Sequence, residues 1–368
     1  MFRLQKHRAI TSISNVDDDT LSEILIRLPI KHMVSCKLVS KLWFKLISSL
    51  CIPRIQTSNL YGQWNFACLN DTPNLSLIDS CIASNYPFSP SLPEDFIDCC
   101  NGFLLFFDAY LMRYCIFNPS TQQHVSFTTS SSNKEEAQFA ALIYDKRYEV
   151  VYISHSGFMN IFSFTYGKWE VHKIVLDSIV ASSGWSPRSV FFQGSVYRLS
   201  LSGHLLKFDV RDISCRAIEL PEVVVRAAPI GCLGVSQGSI CYSWSDHCSF
   251  VRVWTFEDEW NLKRTICFKQ FDQHPICCDH DVFSQSCVCA FHPTSNTLFV
   301  GNSAGIFSYD PNTKRLESIC NVTKDKMIHS GEYLVYPFSV NLTPIETYKW
   351  SAARSTGECQ ICYFLTFI

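Results

Sequence analysis

Phe192-Gln193-Gly194-Ser195-Val196-Tyr197 is echoed about 44 residues later by Ser236-Gln237-Gly238-Ser239-Ile240-Cys241, and Asn101-Gly102-Phe103-Leu104 lies roughly twice that distance before the first copy. A second theme is a strand that ends in an acidic or amide turn. It occurs in Ile116-Phe117-Asn118-Pro119-Ser120-Thr121, Lys207-Phe208-Asp209-Val210-Arg211-Asp212 and Ser308-Tyr309-Asp310-Pro311-Asn312-Thr313. Around these copies, short β-branched and aromatic runs such as Glu149–Ile153, Asn160–Phe164, Val251–Phe256 and Thr297–Val300 alternate with Gly, Pro, Asn, Asp and Ser. Many short strands at regular spacing indicate a sandwich, a barrel or a propeller. Repetition favours the propeller, because a four-stranded blade takes about 40–50 residues. The fold expected is mainly β with a small N-terminal α segment. The roughly 290 residues after the first 55 would hold about six to seven blades.

The N-terminal segment follows another period. Leu21, Ile24, Leu25 and Leu28 recur at the spacing of one face of an amphipathic helix. Thr20 and Glu23 have capping-box spacing, and Asp17, Asp18 and Asp19 are competing caps where the helix dipole favours negative charge. Pro29 ends this helix. A second helix carries Met33, Val34, Lys37 and Leu38. Ser40 is a good N-cap for a third, with Trp43, Leu46, Ile47 and Leu50 along one stripe. Three helices in so short a stretch cannot enclose a core of their own, so they call for a partner.

Residues 16–50 resemble the F-box, a three-helix motif that interdigitates with the C-terminal helices of a Skp-family adaptor. The resemblance rests on Leu21-Ser22-Glu23-Ile24-Leu25-Ile26-Arg27-Leu28-Pro29-Ile30-Lys31, on Val39-Ser40-Lys41-Leu42-Trp43 and on Leu46-Ile47-Ser48. It departs from the family at the opening Leu-Pro pair, where this chain has Val16-Asp17, and that departure implies a weaker grip on the adaptor. By matching position it implies adaptor contact through Val16, Leu28, Pro29, Ile30, Val34, Val39 and Trp43.

The region that follows resembles the F-box-associated, kelch-like domain of plant F-box proteins. The matching pieces include Cys100-Asn101-Gly102-Phe103-Leu104, Asn118-Pro119-Ser120-Thr121, Ala141–Asp145, Trp169-Glu170, Phe191–Leu199, Val253-Trp254 with Trp260, and Phe291-His292-Pro293. The domains expected are a disordered N-terminus at 1–12, an F-box at 13–55, a propeller-like domain at 56–345 and a C-terminal tail at 346–368.

Composition narrows the function. The chain has 368 residues, Lys+Arg 31 against Asp+Glu 33, and a net charge of −2. No domain-sized basic excess exists to wrap nucleic acid or to lie on an anionic membrane. The charged fraction is 17% and aromatics reach 14%, which suits extensive buried β surface and argues against disorder. The N-terminus, Met1 to Arg8, is basic but has no apolar stretch behind it, and no apolar run is long enough to span a bilayer. The 19 cysteines therefore read as reduced and mostly buried small hydrophobes in the cytoplasm or nucleus.

Catalytic patterns fail on inspection. Gly301-Asn302-Ser303-Ala304-Gly305 matches a nucleophile elbow, but Ile306–Tyr309 after it reads as a strand where the elbow needs a helix. It is read as a hairpin loop. His274, Cys277, Cys278, His280, Cys287, Cys289 and His292 crowd one stretch, and Cys359 and Cys362 form a CxxC, but the paired spacing of zinc sites is missing. No Walker A loop, dinucleotide fingerprint or zincin helix occurs. No catalytic, metal-binding or cofactor-binding residue is assigned.

The expectation is a non-catalytic substrate receptor of a Skp–cullin–F-box ubiquitin ligase. It would bind the adaptor, and through it a cullin and a RING subunit, while the β domain holds an unknown target protein. Trp185 and Trp244 are candidate anchors if they sit in exposed loops, and blade core if they do not. The alternative is a protein-binding propeller scaffold with a vestigial F-box and no ligase role.

Overall fold

A computed structural model of the chain describes residues 17–28, 33, 36–47, 65–69, 75–78, 83–84, 95–118, 123–131, 133–137, 139–144, 148–164, 166–221, 231–245, 250–267, 287–302, 305–321 and 334–338. The chain divides into two units near residue 63.

The first unit is helical. A helix runs Asp18–Ile26, and Asp17 is its cap, accepting from the Thr20 backbone N–H at 2.8 Å. The competition among Thr20 and the three aspartates is thus settled in favour of the residue with extended backbone at the helix entry. A 3₁₀ turn spans Cys36–Leu38 and packs against a short helix, Lys41–Leu46. Ser40 caps that helix through the Trp43 N–H at 3.2 Å, as its sequence position predicts.

The second unit is built of antiparallel four-stranded sheets. Three strands open it: β1 (Asn65–Leu69), β2 (Leu75–Ile78) and β3 (Ala83–Ser84). The next four, β4 (Asp95–Cys100), β5 (Phe103–Asp108), β6 (Arg113–Asn118) and β7 (Gln123–Thr128), make the first complete blade. The second comprises β8 (Ala140–Tyr144), β9 (Tyr148–Ser154), β10 (Phe158–Ser163) and β11 (Lys168–Lys173). The third comprises β12 (Trp185–Phe192), β13 (Ser195–Ser200), β14 (His204–Asp209) and β15 (Ser214–Glu219). The fourth comprises β16 (Cys232–Ser236), β17 (Ser239–Ser245), β18 (Phe250–Phe256) and β19 (Trp260–Cys267). The fifth comprises β20 (Cys287–Phe291), β21 (Leu298–Asn302), β22 (Gly305–Asp310) and β23 (Arg315–Asn321). Finally β24 (Leu334–Phe338) pairs with β1, Ala67 opposite Tyr336, and so joins β1–β3 in a composite closing sheet.

The propeller expected from the repeat is therefore present, but with five blades of consecutive strands and not six to seven. Chain length divided by one period overcounts the blades. No described strand lies between Cys267 and Cys287 or between Asn321 and Leu334, and β1–β3 are completed only by a strand from the far end of the chain.

The repeat itself has a physical cause. Asn101-Gly102, Gln193-Gly194 and Gln237-Gly238 each hold φ near +50° and then near +80°, the left-handed pair of a two-residue hairpin turn. Each joins the first and second strands of its blade. The acidic-turn theme recurs in the same way between the third and fourth strands. The Asp209 carboxylate accepts from the N–H groups of Arg211 and Asp212, and Asp310 accepts from the Asn312 N–H and the Thr313 hydroxyl.

Between blades the packing is face to face, so central strands are apolar on both sides and read as unbroken runs. In β5 the side chains of Phe103, Leu105 and Phe107 enter the core shared with β8–β10, where Phe127 stacks on Phe162 at 4.1 Å. Each fourth strand is the outer edge. β11 and β15 consist of exposed and half-buried residues only and carry Lys, Arg and Glu, which discourages edge pairing. Two tryptophans tie neighbouring blades together: Trp169 Nε1 donates to the Thr128 carbonyl at 2.9 Å and Trp260 Nε1 to the Glu219 carbonyl at 2.8 Å. They are equivalent bonds, made by the fourth strand of one blade to the end of the fourth strand before it.

Candidate adaptor-binding surface

The helical unit buries Leu21, Leu25, Met33, Leu46 and Ile47 almost completely. Around this small core it leaves large apolar side chains in solvent: Ile24 is 51% exposed, Leu38 80%, Val39 63%, Leu42 47% and Phe44 54%. The reason is in the sequence. Leu42, Trp43 and Phe44 are consecutive on a helix and cannot all face one side. Leu46 and Ile47 take the core side, Trp43 is half-buried, and Leu42 and Phe44 turn outward. Lys37 lies with its ammonium 5.6 Å from the centre of the Phe44 ring, and partial burial holds its pKa below the usual lysine value. Five exposed large apolar side chains within 21 residues are many for so small a unit.

Of the contact residues implied by resemblance, Val39 is exposed and Leu28 and Trp43 are half-buried, so all three remain at the surface. Val16, Pro29, Ile30 and Val34 lie outside the described residues. Sequence reasoning did not single out Ile24, Leu38, Leu42 or Phe44 as contacts. The adjacency of Leu42, Trp43 and Phe44 was the available clue for two of them.

The propeller unit has a second apolar distribution. Strands alternate in direction, so the β5–β6, β9–β10, β11–β12 and β13–β14 connections emerge at one end of the blades. That end exposes Tyr110, Leu111, Val175, Ile179 and Leu201. At the opposite end are the polar turns at Asn101, Gln193, Asp209, Gln237 and Asp310, with Tyr144 and Tyr166 the exposed aromatics there among the described residues. Trp185 is not an exposed loop anchor. It begins β12, is buried, donates from Nε1 to the Val180 carbonyl at 3.0 Å and stacks on His155 at 4.0 Å. Trp244 sits half-buried within β17, opposite Arg252.

The remaining chemical motifs resolve structurally where they are described. The Gly301–Gly305 loop joins β21 to β22, with Asn302 paired to Gly305, so a strand follows it as expected. His292 uses Nδ1 to accept from the N–H groups of Thr294 and Ser295, which ties the β20–β21 connection. Regular alternation would put Cys287 and Cys289 on one face of β20. A bulge between Val288 and Ala290 interrupts the alternation there. Their thiols approach the carbonyls of Gly301 and Phe299. Burial pushes the thiols of Cys100, Cys241 and Cys287 up to about 12, so they are protonated at neutral pH. Among the described residues no group of three His, Cys, Asp or Glu side chains is placed to hold a metal ion. His274, Cys277, Cys278, His280, Cys359 and Cys362 lie outside them. No described helix is long and apolar enough to cross a membrane.

Comparison with known proteins agrees with this division. Residues 13–55 match the F-box domain. The chain is 24% identical to the Arabidopsis thaliana F-box protein At5g03970 over 362 residues, covering 86% of this chain and 84% of that protein. It is 26% identical over 291 residues to a second Arabidopsis thaliana protein named as an F-box protein, At4g21240, covering 67% of each. F-box only protein 8 of Arabidopsis thaliana is 34% identical over 132 residues, 31% of this chain and 42% of that protein. The chain thus carries an F-box domain at residues 13–55 followed by a propeller-like β domain, and its homologues are plant F-box proteins.

Proposed function

We propose that this chain is the substrate-recognition subunit of a Skp–cullin–F-box ubiquitin ligase. The observation that carries the reading is the exposure of Ile24, Leu38, Val39, Leu42 and Phe44 on a helical unit whose small core is already filled by Leu21, Leu25, Met33, Leu46 and Ile47. A Skp-family adaptor covers that surface, together with Leu28 and Trp43, and connects the chain to a cullin and a RING subunit. Val16, Pro29, Ile30 and Val34 complete the contact by their position in the motif. The domain boundaries proposed are 13–55 for the F-box and 56–345 for the propeller, with a tail at 346–368.

The subunit does no chemistry of its own. It holds a target protein on the propeller while the adaptor holds the ligase core, so the target's lysines meet the ubiquitin-loaded enzyme at high effective concentration. The end of the blades that exposes Tyr110, Val175, Ile179 and Leu201 is the target-facing end, because apolar and aromatic side chains supply most interface free energy. The complex works in the cytoplasm or nucleus, where buried thiols stay reduced.

Co-expression with a Skp-family adaptor, followed by gel filtration, tests the reading. The wild type is expected to co-elute at one-to-one stoichiometry, and Leu38→Asp with Phe44→Asp to run alone. A folded wild-type chain that never co-elutes would leave a propeller scaffold with a vestigial F-box.

A further inference from the structure

The inner strands β4, β8, β12, β16, β20 and β24 neighbour one another in a closed ring about a common axis, so every strand connection falls at one end of that axis or the other. The apolar end receives the connections from second to third strands and from each sheet to the next. In sequence these carry twelve Asp and Glu against five Lys and Arg. The connections at the polar end carry six against four. An excess of seven acids at one end stands out in a chain whose net charge is only −2. Some of these residues lie outside the described set, and the count depends only on which strand ends each connection joins. Charges on the strand ends there do not offset the excess: Asp95, Asp108 and Glu219 stand against Arg113 and Lys173, and Arg113 is spent on an ion pair with Asp108 at 3.2 Å.

At the same end three connections are tied into one surface. The Ile174 N–H donates to the Gly157 carbonyl at 2.9 Å, and the Leu201 N–H to the Gly184 carbonyl at 2.8 Å. Trp185 stacks on His155 at 4.0 Å, and the Ser183 and Ser200 hydroxyls meet at 2.8 Å. Leu201 lies so close over Gly184 that a Cβ there would come within 2.7 Å of its Cδ1. On this tied backbone Val175, Ile179 and Leu201 are 87%, 54% and 52% exposed. Asp177 is exposed between the first two, and Glu135 is exposed on the β7–β8 connection at the same end. Apolar groups on a fixed backbone lose little freedom when they are covered, and acidic neighbours select the charge of what covers them.

We propose, on the receptor reading above, that this end takes a basic, apolar segment of the target protein. Its Lys or Arg side chains lie over the acidic connections, and its apolar side chains rest on Val175, Ile179 and Leu201. The acidic field draws such a segment in and repels nucleic acid and anionic membranes. The apolar contacts supply most of the affinity, and the charges supply selectivity and salt dependence.

The test uses the full chain and two pools of fluorescein-labelled twelve-residue peptides of randomised order, one built of Lys and Leu, the other of Glu and Leu. Fluorescence polarisation should report binding of the Lys/Leu pool alone, weakened about threefold to tenfold when salt rises from 50 to 300 mM. Glu135→Lys with Asp177→Asn, which keeps the helix cap, should weaken it about fivefold. Val175→Ser with Leu201→Ser should weaken it about tenfold. Glu257→Lys with Glu259→Lys, in the turn at the opposite end, should leave it unchanged. Absence of Lys/Leu binding, equal binding of the Glu/Leu pool, or an equal loss from the opposite-end variant overturns the proposal. Adaptor co-elution without peptide binding would remove this ligand and leave the receptor reading standing. Peptide binding without co-elution would leave a scaffold that takes the same ligand.

Discussion

Leu38→Ala separates binding from folding. Leu38 is 80% exposed, so truncating it should change the stability of the helical unit by less than about 0.5 kcal/mol. If the adaptor covers it, the substitution withdraws three carbons from the interface. At about 0.8 kcal/mol per buried carbon this is roughly 2.4 kcal/mol, or about a fiftyfold rise in Kd. Val39→Ala removes two carbons and should cost about fifteenfold by the same reckoning. The control is Leu25→Ala. Leu25 is fully buried, so its truncation opens a cavity and should destabilise the helices by about 2–5 kcal/mol. Titration calorimetry against a purified Skp-family adaptor reads the affinity, and helical circular dichroism reads the fold. A Leu38→Ala protein that stays helical and binds within twofold of the wild type would show that the exposed surface is not the adaptor contact.

Three further outcomes test the propeller. Trp169→Phe and Trp260→Phe each delete one hydrogen bond between blades while keeping an aromatic ring, so each should lower urea-unfolding stability by about 1 kcal/mol, and the pair should add, because the two bonds lie in different blade junctions. Gly231 has φ +85° and a Cβ there would come within 2.3 Å of the Ser243 carbonyl oxygen; Gly231→Ala should cost at least about 2–3 kcal/mol, measured by thermal melting, and a neutral result would mean that the backbone relaxes. Burial raises the Asp98 pKa from 3.8 to about 6, so between these values the folded chain keeps a proton that the unfolded chain has released. The contribution of this group is fully present below about pH 4 and is lost as pH rises through about 6, to a total of about 3 kcal/mol. The stability difference between Asp98→Asn and wild type should therefore change across that window, and a difference independent of pH would refute the assignment.

What the sequence disclosed follows from how local each cause is. The turns at Gln193-Gly194 and Gln237-Gly238 could be read as repeats because the conformation each imposes is set by two adjacent residues. The caps at Asp17 and Ser40 are equally local. The blade count was not, since β1 is completed by β24 from the other end of the unit, and no local pattern announces that pairing. In the helical unit, periodicity showed that Leu21, Ile24, Leu25 and Leu28 share a stripe. It could not show that Leu21 and Leu25 turn to the core while Ile24 stays open. A unit with a partner has two apolar faces, and spacing alone does not say which one is its own.

The axis was least legible of all. Asp98 stands in Phe96-Ile97-Asp98-Cys99-Cys100 as a stray carboxylate in an apolar strand, and the groups it binds in β8 and β12 are 44 and 91 residues away. Its position makes sense only once the ring of inner strands is closed. Each inner strand pairs on one side with its own blade and has no strand on the other, so N–H and C=O groups along that free edge need partners. The Leu142 N–H finds the Asp98 carboxylate, and the Cys289 carbonyl finds Arg188. Charged side chains thus do at the axis what a further strand does within a blade. Because they bridge different blades, they hold the ring closed by contacts that no single repeat encodes.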